Sequence, residues 1–272
     1  MSSSLESSAD IEVDLQKINN RYIALWSEFA GKGELVTGRY PVQYPPKMSR
    51  GALLFVGCNP SFRSPQATRS KIQTGLDKDM TEEDFYAWDG ELNQQKTFQE
   101  AEKRCQLSLS KDEILRDRYF KVLSEVTEAS GLPRWEHIDL FAVRETSQKE
   151  VIKLLKIQGA GNDEDPSEVF NMSEFAKVQL DIALDAFTLL EPSTIVVISA
   201  IASKVLRSYV KQKKLNLEFR KDCGTYMLAL GGRRIPLFLS GMLARQHALD
   251  VFSRERLGWH IGYAQTFSER GT

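Results

Sequence analysis

The sequence predicts one α/β domain, a three-layer α/β/α sandwich around a mostly parallel central sheet, and three observations carry that prediction. A short unbroken apolar run at 52–56 suits a strand buried on both faces, and 137–143 and 194–199 are further strand-like segments. Stretches with apolar residues at helical spacing separate them, each long enough for a crossover. Finally, 272 residues at 42% hydrophobic content supply enough apolar mass for such a core.

Taken in order, residues 1–10 are polar and Ser-rich and read as a disordered tail; 11–272 read as the single domain. Val13, Ile18, Tyr22, Leu25 and Trp26 recur at helical spacing, predicting a helix over 11–29. A Gly/Pro-rich connection follows from Gly31 to Lys47, and then the strand 52–56 ends abruptly at Gly57. Residues 62–116 are polar, with an aromatic knot at Phe85, Tyr86 and Trp88 that is either a lid or a satellite packing cluster. A helix over 117–130 is closed by Gly131 and Pro133, and a strand follows at 137–143. The loop 159–167 leads to a helix at 175–190, the strand 194–199 and a helix at 200–214. Strands at 226–230 and 235–239 flank a turn at 231–234, and a helix over 249–261 closes the core.

Composition narrows the function classes. No apolar run approaches the roughly 20 residues of a membrane helix, and the N-terminus is polar, so a cytoplasmic protein with no membrane partner is expected. Cys58, Cys105 and Cys223 have no Cys-x-x-Cys spacing, so neither a disulfide framework nor a metal site is expected. The net charge of −1 conceals an asymmetry: residues 201–272 hold thirteen Lys/Arg against five Asp/Glu. A basic C-terminal part suits contact with phosphates, although Lys211, Lys213 and Lys214 equally suit a solvated helix end.

In a parallel α/β sheet ligands bind beyond the carboxyl ends of the strands. Segments 57–63, 144–146 and 240–246 are expected to meet there. Gly57 permits a tight turn or a close approach, and Pro60 fixes φ, so Asn59 is presented rigidly; an ordinary Asn-Pro turn satisfies the same pattern. The stretch Ser240-Gly241-Met242-Leu243-Ala244-Arg245-Gln246 follows a strand and precedes a helix. Its small residues allow a nucleic acid backbone to come close, with Leu243, Arg245 and Gln246 projecting as wedges; Arg245 capping the next helix is the plainer alternative.

The segment Leu54-Phe55-Val56-Gly57-Cys58-Asn59-Pro60-Ser61 resembles the first motif of the uracil-DNA glycosylase superfamily, nearest to its mismatch-specific uracil/thymine and single-strand-selective branches. The resemblance implies a uracil-DNA glycosylase-like fold in which Asn59 holds the water that attacks the sugar C1′. Residues 239–245 are similar to the second motif of the thymine-specific branch, which implies that Arg245 enters the duplex where the base has left. Two departures stand out: Ser61 where the family has glycine or tyrosine, and Ser240-Gly241-Met242 where it has a His-Pro-Ser, Asn-Pro-Ser or Met-Pro-Ser triplet. They leave room for a bulky modified pyrimidine, and one branch of the superfamily removes glucosylated hydroxymethylcytosine from phage DNA in bacterial defence.

The implied activity is that of a monofunctional DNA glycosylase acting on a flipped pyrimidine as a monomer, without metal or organic cofactor. Asn59 and His247 are the candidate catalytic residues, His247 to stabilise the leaving base, with a structural role at a helix start as its alternative. Gly57, Cys58, Pro60, Ser61, Phe62 and Arg144 are the candidate base pocket, Phe62 stacking on the base or packing in the core. Ser240, Gly241, Met242, Leu243, Arg245 and Gln246 are the candidate DNA wedge and backbone contacts. His137 and His260 are expected to be packing residues, and Asp139, deeper in its strand, is not expected to act as the general base.

Overall fold

The computed structural model describes residues 3–32, 38–60, 118–158, 170–244 and 248–268. Among them the chain forms α1 (Ser3–Gly31), β1 (Leu53–Gly57), α2 (Arg118–Ser130), β2 (Trp135–Asp139), α3 (Gln148–Leu154) and α4 (Glu174–Leu190), followed by β3 (Thr194–Ile198), α5 (Ala200–Gln212), β4 (Leu217–Arg220), β5 (Thr225–Leu230), β6 (Arg233–Ser240) and α6 (Val251–Ser268).

Six strands form one sheet in the order β2-β1-β3-β6-β5-β4. The four from β2 to β6 run parallel, while β5 and β4 extend the sheet antiparallel. Alternation along the strands divides the core in two. Leu54, Val56, Ile195 and Val197 face α1, α4 and α5; Leu53, Phe55, Val196, Ile198 and Phe238 face α2 and α6. The three-layer α/β/α architecture with a mostly parallel sheet is therefore present.

Local chemistry explains the boundaries. Ser173 and Ser199 cap α4 and α5, their side chains accepting from the backbone N–H three residues on. Gly231 and Gly232 both have positive φ, 58° and 75°, which fits the two-residue hairpin joining β5 to β6. That turn is shorter than the four-residue turn anticipated. On the other face, Gly258 and Gly262 let α6 press against α2: a Cβ on Gly258 would lie 2.5 Å from Ala129 Cβ, and one on Gly262 2.5 Å from the Ser130 carbonyl oxygen.

The elements depart from expectation at their ends. Helix α1 begins at Ser3, inside the stretch read as a disordered tail, because extending a packed helix costs far less than starting one. Strand β2 starts two residues early and stops at Asp139, although Leu140 and Phe141 still donate backbone bonds to Gly57 and Cys58 at 3.1 and 3.0 Å. Helix α3 and strand β4 were not anticipated, being too short to show a period. Helix α6 runs from Val251 to Ser268 rather than 249–261. The aromatic knot at 85–88 and the loop at 159–167 lie outside the described residues. Among the described residues no helix is long and apolar enough to cross a membrane.

Candidate active site at the strand ends

The register places one lateral row across the carboxyl end of the sheet. Gly57 pairs with Asp139, and Ile198 pairs with Ser240. Because Val56 pairs with Val197, Gly57 stands beside Ile198. All four share the parity of Phe55 and so face the α2/α6 side. At one strand spacing per step, Asp139 and Ser240 stand about 14 Å apart.

Beyond this row β1 runs into the turn at Asn59. The Asn59 side chain is half-buried, and its amide nitrogen donates to three backbone carbonyls: Glu145 at 2.7 Å, Pro60 at 3.0 Å and Val143 at 3.3 Å. Its acceptor loop is itself fixed. Glu145 Oε1 accepts from the Thr146 and Ser147 N–H groups at 2.7 and 3.3 Å, and Arg39 donates to the Arg144 carbonyl at 3.0 Å. With the nitrogen fully engaged, the side chain has its amide oxygen Oδ1 available to accept from water or a ligand.

A cavity of about 160 Å³ adjoins this turn, lined by Val42, Gln43, Tyr44, Pro45, Pro60, His137, Ile138, Asp139, Phe141 and Ala142. Its outer wall is the segment around 42–45, tied to the β2 side by Val42 N–H donating to the Ala142 carbonyl at 2.9 Å. Buried Asn19 fixes the same segment, donating to the Tyr44 carbonyl at 2.9 Å and accepting from the Tyr44 N–H at 2.8 Å. Cavities of about 150 Å³ hold a benzene-sized ring, so this space takes one six-membered heterocycle.

Three titratable side chains, Tyr44, His137 and Asp139, are among the residues that line it. Burial holds the His137 imidazole down to about 4, so it is neutral, and its Nε2 lies 2.9 Å from the Tyr119 hydroxyl. Burial also pushes the Asp139 carboxyl up to about 7, partly offset by the nearby Arg144 charge. Among the described residues no donor pairs with that carboxyl. Its Oδ1 occupies the space over Gly57 that any side chain there would fill: a Cβ on Gly57 would overlap Oδ1 and approach His137 Nε2 to 3.3 Å.

The predicted site residues divide accordingly. Asn59, Gly57, Pro60 and the 143–145 backbone do converge. Arg144 lies near enough to Asp139 to act on its charge. Cys58 does not line the pocket: its side chain is buried among the core residues on the α1/α4 side, where burial pushes the thiol up to about 12. Leu243 is likewise no wedge. It is 1% exposed and packs with Phe55, Ile198 and Ile261, since an apolar side chain folding back under the loop escapes water. Ser240, Gly241 and Met242 are half-buried at the end of β6; the Ser240 carbonyl accepts from Ser203 at 3.0 Å, and a Cβ on Gly241 would meet open space. Ser61, Phe62, Arg245, Gln246 and His247 lie outside the described residues.

His137 and Asp139 are the residues that sequence reasoning underrated. Their i, i+2 spacing just before the end of a strand, matched to Gly57 in the neighbouring strand, was the pattern that placed them together. Val42 to Pro45 had no such pattern, because only tertiary folding brings them to β2. His260 is a packing residue as expected, its Nε2 2.7 Å from the Cys223 carbonyl oxygen and its ring edge-on to Phe238. Among the described residues no cluster of His, Cys, Asp or Glu has the arrangement to hold a metal ion.

The class that fold and site define is a three-layer α/β protein with a ring-sized cavity at the carboxyl edge of its parallel strands. No protein-family model and no curated protein matches the sequence.

Proposed function

We propose that this chain is a monofunctional DNA glycosylase that draws a pyrimidine out of the DNA stack and hydrolyses its N-glycosidic bond, leaving an abasic site. The observation that carries this reading is a carboxamide immobilised through its nitrogen in the turn whose next residue, Pro60, lines a one-ring cavity. Such a group orients a water through Oδ1 without titrating. The water oxygen then bonds to the sugar C1′ as the C1′–N1 bond breaks, its electron pair leaving with the base and the water's proton passing to base or solvent.

The row from Asp139 to Ser240 supports the same reading, since about 14 Å of shelf separates the cavity from the loop that begins at Ser240. The open space at Gly241 leaves room for a nucleic acid backbone there. The cavity takes a pyrimidine ring but not a glucosylated one; for glucosylated hydroxymethylcytosine of phage DNA the sugar has to lie outside it. Antiviral removal of such a base by a cytoplasmic monomer is the specific form of the proposal, and uracil or thymine mismatch repair is its rival.

Mass spectrometry of bases released from uracil-containing, mismatched, unmodified and phage-modified DNA is the test. Release that disappears in Asn59→Ala while DNA binding persists supports the proposal. Absence of any released base overturns it in favour of a DNA-binding module on the same scaffold.

A further inference from the structure

Resting on the glycosylase reading, we propose that Asp139 is the proton donor to the departing base and that the cavity therefore favours pyrimidines with a basic ring nitrogen beside an exocyclic amino group, the cytosine class, over uracil and thymine.

The cavity has Asp139 in its lining. Its other polar side chains are engaged: Gln43 Nε2 donates to the Tyr40 hydroxyl at 3.3 Å, the Tyr44 hydroxyl lies 2.7 Å from that of Tyr22, and His137 Nε2 meets Tyr119. Asp139 has no such partner among the described residues. Gly57 is the structural complement, since only a glycine leaves the notch that Oδ1 occupies. A half-buried carboxyl without a donor is harder to ionise than one in water, and a ligand that pairs with it and covers it offsets that cost.

The groups around it favour the acid form near neutral pH. Arg144 is the cation close enough to oppose this and offsets only part of the desolvation. His137, on the same strand, is neutral, and Cys58 in β1's turn, Tyr44 in the outer segment and Tyr22 on α1 lie near enough to feel the Asp139 charge and are neutral groups whose own ionisation burial suppresses. A ring in the cavity removes remaining water and moves the carboxyl further toward its protonated form.

The chemistry then selects the base. A protonated carboxyl presents one donor and one acceptor side by side, which pair with the ring nitrogen N3 and the amino group of cytosine. As the C1′–N1 bond breaks, the Asp139 proton passes to N3, and the base leaves neutral rather than as an anion. Water supplies hydroxide to C1′ and its proton returns to the Asp139 carboxylate, so charge and protons balance over the cycle. Uracil and thymine offer a weakly basic carbonyl oxygen and an N3 that already bears hydrogen, so they gain no such proton transfer. A matched acid contributes about 10²–10⁴-fold to a rate.

The experiment is single-turnover release of cytosine, 5-hydroxymethylcytosine and uracil from otherwise identical oligonucleotides between pH 5 and 9, with free cytosine and free uracil titrated calorimetrically into the same protein. Wild type is expected to release the cytosine-class bases with a rate that falls about tenfold per pH unit above about 7. Asp139→Asn, which keeps a donor and an acceptor in place, is expected to bind free cytosine within a few-fold of wild type yet release bases at least about 100-fold more slowly. Unchanged release by Asp139→Asn, a flat pH profile or release of uracil alone overturns the inference and leaves the glycosylase reading standing. No release from any DNA at any pH overturns both, even if free cytosine still binds.

Discussion

Replacing Asn59 by aspartate tests which way the side chain is turned, because the two residues differ only in the atoms facing three carbonyl oxygens. In the native chain an NH₂ group satisfies Glu145, Pro60 and Val143 at 2.7, 3.0 and 3.3 Å. A carboxylate there loses all three contacts and places negative charge against three negative dipoles. Each lost bond costs about 0.5–1.5 kcal/mol, and the repulsion adds to it, so Asn59→Asp is expected to lose on the order of 3 kcal/mol or more at pH 7. Asn59→Ala, which loses the contacts without adding charge, is expected to lose less. The sign of the pH dependence follows from linkage. The carbonyls raise the folded-state pKa of an aspartate at 59, so the part of its penalty that comes from charge is absent below about 4, the unfolded value, grows as pH rises toward the folded value and then stays constant, while part of the bond loss persists at every pH. Urea unfolding of the two variants at pH 4, 5.5 and 7 measures this. If Asn59→Asp matches wild type at pH 7, the nitrogen does not face those carbonyls, and the assignment of Oδ1 to water falls with it.

Further outcomes follow from the same row of residues. Gly57→Ala is expected to push the Asp139 carboxyl from its place, costing about 1–3 kcal/mol in thermal or urea unfolding and abolishing the pH dependence of base release; unchanged stability and profile would contradict the geometry. Asp139 is held above its ordinary range, so wild-type stability present below about 4 is expected to be lost as pH rises through about 7, by up to a few kcal/mol, and Asp139→Asn is expected to lack that slope; parallel urea profiles for the two proteins would refute it. Gly262→Ala drives a methyl against the Ser130 carbonyl and is expected to cost about 1–3 kcal/mol, whereas Gly241→Ala meets open space and is expected to stay within about 0.5 kcal/mol. Differential scanning calorimetry of that pair checks both, and equal melting temperatures would remove the close α2–α6 contact.

Much of the architecture was legible because β1 and β3 are buried on both faces, which writes them as continuous apolar runs. The edge strands β2 and β4 were harder, since each is only partly buried and carries polar residues. In the site, Asn59 and Gly57 were readable from a local turn pattern, whereas the outer wall at 42–45 is held at the cavity by contacts to Asn19, Tyr22, Asp139 and Ala142, which have no local spacing. Leu243 shows the opposite failure. Loop position suggested projection, but a leucine beside an apolar sheet end gains more by turning inward.

The wall built by Val42 to Pro45 sits on the free edge of β2, outside the sheet that orients Asn59. The outline of the cavity and the turn that holds Asn59 thus occupy separable parts of the chain: three residues of an edge strap can be exchanged to reshape the hole while that turn and Asp139 stay as they are. Directed libraries confined to positions 42, 43 and 45, with Tyr44 kept for its anchor to Asn19, offer a short route to altered base preference.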